Sequence, residues 1–240
     1  MAKVTDNRDD RPFDSTQCDA EMTRSTGDKF YFMQYGIWSF VRNHVTPDDD
    51  LLDVGCGIYQ SLRKVLRHGF SAKIDTYTGV DVQPLEDCGG YRDKFIGNFD
   101  FTKRYSELGK YDVICMLEFL EHLHVDLGYK SLKAAHTLLR KDGRLLLSGP
   151  VYDGVGQFDN HVHEYTNGEL HGRLRSAGFK VKATFGTRVD VRHIRNSDEH
   201  DLHWVYDELS KYYDNEALSV IFAPLFPEYA KGCAWLCVKE

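Results

Sequence analysis

Apolar residues recur at helical spacing over residues 28–45, where Phe30, Met33, Ile37, Trp38 and Val41 fall near one face. Pro47 and the acidic run Asp48-Asp49-Asp50 end that pattern. Short apolar runs separated by turn residues follow: Leu51-Leu52-Asp53-Val54, Tyr77-Thr78-Gly79-Val80-Asp81, a run around Phe95-Ile96, one over 111–117 and one over 143–150. Runs of this length, bounded by Gly, Pro and Asp, predict buried strands. Helical stretches lie between them, and strands alternating with helices predict a doubly wound, parallel α/β sheet. A helix carrying Leu170 and Leu174 closes at Gly178, as a C-terminal glycine should. A sixth strand is predicted over 180–189, helices over 198–213 and 216–226, and a last strand over 233–239. Residues 1–27 are polar without periodicity, which predicts an arm outside a single domain spanning 28–240.

Composition narrows the class. The chain has 240 residues, enough for one α/β domain with a full core. A hydrophobic share of 42% and a charged share of 28% fit a soluble globular protein. No apolar run approaches the roughly 18 residues that span a bilayer, and the start lacks a signal-peptide core. The six cysteines are scattered without zinc-ribbon spacing, so reduced thiols in the cytoplasm are expected. A net charge of −7 argues against broad nucleic-acid binding, which rests on phosphate neutralisation. A small-molecule substrate is expected, with neither double-stranded DNA nor a membrane as partner.

The first chemistry lies at the strand tips. Leu51-Leu52-Asp53-Val54-Gly55-Cys56-Gly57 is a strand ending in a glycine turn, where a ligand can approach the backbone without meeting a Cβ. Asp81 ends the next strand, placed to accept both hydroxyls of a ribose across the carboxyl edge of a parallel sheet. A dinucleotide fold wants G-x-G-x-x-G, and Gly55-Cys56-Gly57-Ile58-Tyr59-Gln60-Ser61 lacks the third glycine. Asp53 would repel a phosphate but suits an ammonium or sulfonium ligand. No Gly-Lys-Ser/Thr follows, which excludes a P-loop.

In these residues the chain resembles a class I S-adenosylmethionine-dependent methyltransferase, over about residues 51–181. The resemblance implies that Asp53, Gly55, Cys56 and Gly57 hold the methionine end of the cofactor, and Asp81 with Val82 the ribose. It implies Asp100 with Phe101 at the adenine, Asn98 being the alternative, and Leu117 bordering the cofactor. It also implies a seven-stranded Rossmann-like sheet, mostly parallel, with the last strand inserted antiparallel between its neighbours. A helical insertion at about 190–228 is then expected to cover the active site. The aromatic and histidine residues there (His193, His200, His203, Trp204, Tyr206, Tyr212, Tyr213) are expected to be core more than a stacking platform.

A second cluster is Glu118-Phe119-Leu120-Glu121-His122, followed later by Asp159-Asn160-His161-Val162-His163-Glu164-Tyr165-Thr166. On one helical turn Glu118 lies three and four residues from Glu121 and His122, so the three side chains are expected to converge. Carboxylates with imidazole suit Mg²⁺, Mn²⁺ or Fe²⁺, and His161 or His163 would complete the set. The pattern resembles the metal-dependent 2′-O-methyltransferases of small-RNA 3′ ends, which carry E-x-x-E-H and a later histidine before Phe-Glu-Trp-Thr. That resemblance assigns the metal to Glu118, Glu121, His122 and His161. The pattern also resembles the O-methyltransferases of ubiquinone biosynthesis, which share E-x-L-E-H and act on a catechol. Both imply a Mg²⁺ or Mn²⁺ ion that lowers the pKa of a substrate hydroxyl; without metal, His122 or His161 would be the catalytic base. Alternatively, Glu164-Tyr165-Thr166 caps a helix beginning near Asn167, and His163 is a surface histidine.

Two nucleic-acid chemistries are excluded by their missing motifs. Leu117-Glu118-Phe119-Leu120 stands where DNA amino-methyltransferases carry Asn/Asp-Pro-Pro-Tyr, and no cysteine follows a proline as the cytosine C5 enzymes require. The expected function is methyl transfer from S-adenosylmethionine to a hydroxyl, ahead of an amine, of a small molecule. The alternatives are 2′-O-methylation of a terminal ribose at an RNA 3′ end and a non-catalytic cofactor-binding subunit.

Overall fold

The computed structural model describes residues 28–58, 61–68, 74, 76–86, 92–154, 159–197 and 200–240. Seven strands form one sheet: β1 (Asp50–Val54), β2 (Thr76–Val80), β3 (Asp93–Ile96), β4 (Tyr111–Leu117), β5 (Leu139–Pro150), β6 (Phe179–Val189) and β7 (Ala230–Lys239). Their order is β3-β2-β1-β4-β5-β7-β6. Every pairing from β3 to β5 is parallel, and β7 runs antiparallel to both β5 and β6. The doubly wound sheet with one inserted antiparallel strand is therefore the observed architecture.

The period-two alternation of the strands sorts their side chains to two faces. Leu52, Val54, Ile114, Met116, Leu145 and Leu147 face one way, into a core shared with α4 (Val125–Leu138) and α5 (Asn167–Ser176). Leu51, Val113, Cys115 and Leu146 face the other way, against Phe40 and Val41 of α1 (Asp28–Asn43) and Leu62 and Leu66 of α2 (Ser61–His68). Both faces are covered, which is why the central strands read as continuous apolar runs. The chain leaves β1 toward β2 and β3, then returns to β4 on the other side of β1. That reversal opens a crevice at the carboxyl ends of β1 and β4. α3 (Phe101–Arg104) lies between β3 and β4.

Three sequence expectations need correction, each for a physical reason. The helix expected over 216–226 stops as α8 (Asn215–Ile221), because Pro224 and Pro227 supply no N–H and shape two short 3₁₀ turns instead. A helix not foreseen, α6 (Val191–Arg195), starts where the Asp190 carboxylate accepts the Arg192 N–H at 2.9 Å. The core reading of the aromatics holds for Tyr206, which packs with Ile194, Leu218 and Phe222, but not for Trp204, Tyr212 and Tyr213, which are exposed. On α7 (His200–Leu209) the inward positions are 202, 205, 206 and 209, so Trp204 falls on the outer side.

The arm expected over 1–27 lies outside the described residues, as do the side chains of Phe30, Met33 and His200. Among the described residues no helix is long and apolar enough to cross a membrane. Leu146, fully buried on β5, tests the two-faced core. Leu146→Ala is expected to lower the unfolding free energy by about 3 kcal/mol in denaturant titrations. A loss below about 1 kcal/mol would mean the site is not the packed centre described.

Candidate functional site

The turn after β1 is shaped by glycine. Gly55 and Gly57 have φ of 74° and 67°, a left-handed backbone that glycine adopts without cost. The Gly55 and Cys56 N–H groups both donate to the Val80 carbonyl, at 2.9 and 3.3 Å, which ties the turn to the tip of β2. Asp81 adds a second tie: its Oδ2 accepts the Gly57 N–H at 2.9 Å and its Oδ1 the Gln83 N–H at 2.8 Å. Burial raises the Asp81 pKa, and these N–H donors oppose the rise. A Cβ at Gly55 would stand 2.7 Å from the Phe119 ring, whereas one at Gly57 would meet nothing within 4 Å.

These tips border a cavity of about 280 Å³. Asp53, Gly55, Cys56, Gly57, Asp81, Val82, Asp100, Phe101 and Leu117, the residues assigned to a cofactor above, all line it; Asn98 does not. Gln34 and Trp38 of α1 add a wall, and Phe119 lies over the turn. Among the described residues, none that lines it comes from the insertion between β6 and β7, whose α8 packs on α1 and β6. Asp100 has a structural role as well: Oδ1 accepts the Thr102 N–H at 3.0 Å, capping α3, and Oδ2 pairs with Lys103 at 2.7 Å. Asp53 is buried, and burial pushes its pKa up to about 7 although Tyr77 donates a hydrogen bond to it.

Two residues of the Glu/His cluster, Glu118 and His122, also line this cavity. The helical turn expected from Glu118 onward is not there. Glu118 has a φ of 49°, and the chain enters a 3₁₀ turn only at Leu120–His122. Ser148 on β5 accounts for the kink, since its carbonyl and Oγ accept the Glu118 N–H at 3.2 and 3.1 Å. The same hydroxyl donates to Glu118 Oε1 at 2.7 Å. Glu118 therefore stands apart from a tighter trio of Glu121, His122 and His161, whose ligand atoms all lie within 4.8 Å of one another. The Val162 and His163 N–H groups donate to the Glu121 carbonyl at 2.7 and 3.0 Å, and so bring the later segment to the earlier one.

Orientation of the two imidazoles follows from their outer partners. His122 Nδ1 lies 3.1 Å from the Asn160 carbonyl, and His161 Nδ1 lies 2.6 Å from Glu164 Oε1. Both partners are acceptors, so each Nδ1 donates outward, and His122 Nε2 lies 3.9 Å from Glu121 Oε1. Glu121 is 2% exposed, and neither of its buried carboxylate oxygens has a hydrogen-bond partner. A buried carboxylate left so costs several kcal/mol in order of magnitude unless it is neutralised or given a cation. Burial and then neighbouring Glu118 push the Glu121 pKa well up, and burial raises Glu118 too. Burial and the adjacent His161 push His122 down to about 4. Two imidazoles and a buried carboxylate with donor atoms within 4.8 Å of one another fit a divalent transition ion, with Mn²⁺ or Fe²⁺ better served than Mg²⁺, which prefers oxygen.

His163, the other histidine left open above, is turned away: its Nε2 pairs with Glu169 at 2.8 Å and its ring packs on Tyr165. Thr166 does cap α5, accepting the Glu169 N–H at 3.2 Å. Sequence reasoning missed Ser148, Asn160 and Tyr77 as partners of site residues. Only Tyr77 had a signal, since period two puts it on the same face of β2 as Gly79 and Asp81.

Known proteins share the family and the fold. Residues 40–184 match the family profile described as Methyltransferase domain. The chain is 28% identical over 127 residues to the ribosomal protein L11 methyltransferase of Thermosipho africanus, which is 51% of this chain and 45% of that protein. It thus spans less than half of that relative's length. A TehB-like SAM-dependent methyltransferase from Corynebacterium glutamicum shares the fold with a TM-score of 0.59 at 14% identity, covering 94% of this chain and 96% of the other. The Burkholderia thailandensis 1,6-didemethyltoxoflavin-N1-methyltransferase, solved with S-adenosylhomocysteine, gives 0.57 at 20% identity, covering 94% and 84%.

The orphaned carboxylate makes a stability prediction. An acid whose folded pKa is raised favours folding less and less as pH climbs from its unfolded value toward its folded one. Glu121→Gln mimics the neutral form, so in chelator-treated protein it is expected to gain about 1–3 kcal/mol at pH 8 and little at pH 5. Scanning calorimetry at both pH values checks this. A variant less stable than the parent at pH 8 would show that the carboxylate is partnered after all.

Proposed function

The chain belongs to the methyltransferase-domain family, and on that premise we propose that it methylates a hydroxyl group of a small molecule with the help of a divalent metal ion. Its class is that of an S-adenosylmethionine-dependent methyltransferase. The acceptor and the metal are the proposal, and one observation carries both: Glu121 is buried with no hydrogen bond to either carboxylate oxygen and has donor atoms of His122 and His161 within 4.8 Å, His122 also lining the cavity.

Each residue then has a task. Asp81, already oriented by Gly57 and Gln83, accepts the ribose hydroxyls through its remaining lone pairs. Asp53 faces the methionine ammonium, and Asp100 with Phe101 the adenine. Leu117, Phe119 and Trp38 keep water from the space between cofactor and acceptor. Glu121, His122 and His161 would hold the ion, and Glu164 and Asn160 orient the two rings. When bound, the cofactor supplies an electrophilic methyl group and the ion supplies Lewis acidity that lowers the pKa of an acceptor hydroxyl. The protein's remaining share is positioning, bringing the acceptor oxygen to about 3–3.5 Å from the methyl carbon.

The low basicity of His122 counts against the metal-free alternative, in which that ring alone takes the acceptor's proton. The net charge of −7 favours a small acceptor over the 3′ end of an RNA. A hydroxyl with a second oxygen beside it, as in a catechol or a vicinal diol, suits the ion best, because both oxygens can reach it. Cys115, Cys233 and Cys237 are buried and form no disulfide, in keeping with a cytoplasmic setting.

Two measurements test this reading. Asp81→Ala is expected to weaken S-adenosylhomocysteine binding by about 1.5–3 kcal/mol in calorimetric titrations, as for a lost charged hydrogen-bond acceptor; unchanged affinity would move the ribose elsewhere. Chelator-treated protein is expected to take up one Mn²⁺ per chain, more tightly than Mg²⁺, and His161→Ala to lose that site. Methyl transfer to catechols or diols that is indifferent to chelator and to added Mn²⁺ would remove the metal from the mechanism. Transfer confined to RNA bearing a free 3′-terminal diol would overturn the small-molecule acceptor.

A further inference from the structure

One buried polar group has no part in the chemistry above: the Tyr77 phenol. Tyr77 sits on β2, fully buried on the sheet face that packs against α1 and α2. Its hydroxyl donates to Asp53 Oδ2 across the β1–β2 pairing at 2.5 Å. Gly79 makes room for this reach. It pairs with Asp53 in the parallel register, and a Cβ there would come 3.1 Å from the Tyr77 ring and 2.8 Å from Cys56 Sγ.

The surroundings of Asp53 offer little else to hold a negative charge. From β2 come Tyr77 and Asp81, from β4 the paired Cys115, and from the turn Cys56. The cavity lining also holds Lys103, paired with Asp100, and Glu118 and His122. Tyr77 is thus the side chain that favours the carboxylate form, and it engages Oδ2, leaving Oδ1 for the cavity that Asp53 lines.

We propose that Tyr77 is a positioning residue for cofactor binding, holding Asp53 so that its other oxygen accepts the α-ammonium of S-adenosylmethionine and making that binding release a proton. The inference rests on the cofactor assignment. Burial pushes the phenol well above its ordinary value, with Asp53 beside it adding to the rise, so Tyr77 stays a donor across the working range. Asp53, at about 7 without ligand, holds a proton for much of the time below neutrality. A cation facing it lowers that value, so the proton leaves on binding and affinity rises with pH until Asp53 is ionised beforehand.

The test is calorimetric titration of S-adenosylhomocysteine from about pH 5.5 to 8.5, in buffers of different ionisation enthalpy that count released protons. For the parent protein the affinity is expected to climb up to about tenfold per pH unit below 7 and to level off above, with proton release at pH 6. Tyr77→Phe is expected to bind about tenfold more weakly at pH 7 and to recover toward the parent affinity at pH 8.5, its plateau displaced upward. Asp53→Asn is expected to lose the pH dependence altogether. A Tyr77→Phe profile lowered equally at every pH would show a purely structural side chain and overturn the proposal. If that variant does not fold, the parent decides: binding without proton release between pH 6 and 7 overturns it. Absence of binding at every pH would instead overturn the cofactor assignment on which the inference stands.

Discussion

Strand β1 is hydrogen-bonded along both edges, to β2 and to β4, and everything at the site is measured from where those three strands stop. Parallel pairing aligns their carboxyl ends, so Asp53, Asp81 and Glu118 emerge at one rim without any long loop to place them. The price is that polar tips are buried beside one another. The fold meets it locally: the turn N–H groups go to Val80 and Asp81, the Tyr77 phenol to Asp53, and the Ser148 hydroxyl to Glu118. Glu121 is the exception among these groups, with no hydrogen bond to either carboxylate oxygen and His122 Nε2 at 3.9 Å.

The two halves of the site differ in what holds them. The cofactor half is built from strand tips and one turn, close in sequence and fixed by the sheet. The Glu/His half joins a 3₁₀ turn after β4 to a segment some forty residues later, and the joint is made by backbone, with two N–H groups on the Glu121 carbonyl. Outer partners then set each imidazole before any ligand arrives. A carboxylate–histidine pair such as Glu164–His161 raises the donor strength of the ring and fixes its direction at once.

Most of the fold was legible because short apolar runs with glycine and aspartate at their ends are a local signal. The gathering of Asp53, Gly55, Gly57 and Asp81 at one cavity was legible for the same reason: they sit at strand ends, where spacing along the chain translates directly into spacing in space. The Glu/His cluster was legible in three of its four expected members, Glu121, His122 and His161, while Glu118 stands apart. Nothing in Glu118-Phe119-Leu120 announces a left-handed glutamate, since that conformation is imposed by Ser148 from another strand. The choice of His161 over His163 likewise depends on which backbone N–H groups reach Glu121. Trp204 shows the opposite failure, where aromatic content suggested burial and helical phase put the ring outside, while Tyr212 and Tyr213 are exposed in the turn after that helix.

The antiparallel β7 has a topological consequence. Because it runs against β6, Val189 at the end of one strand lies opposite Ala230 at the start of the other. The forty residues between them therefore begin and end at neighbouring points, on the rim where β5 also finishes and Pro150 faces Gly232. Closing a loop whose ends are already clamped together costs only about 0.6 kcal/mol for each doubling of its length. The cost of closure therefore changes little with the length of that stretch, and what holds it in place is the packing of α8 on α1 and β6 and of its apolar residues on Val189. The architecture keeps the cavity-lining strand tips within the sheet and sets a separately packed stretch at the same rim.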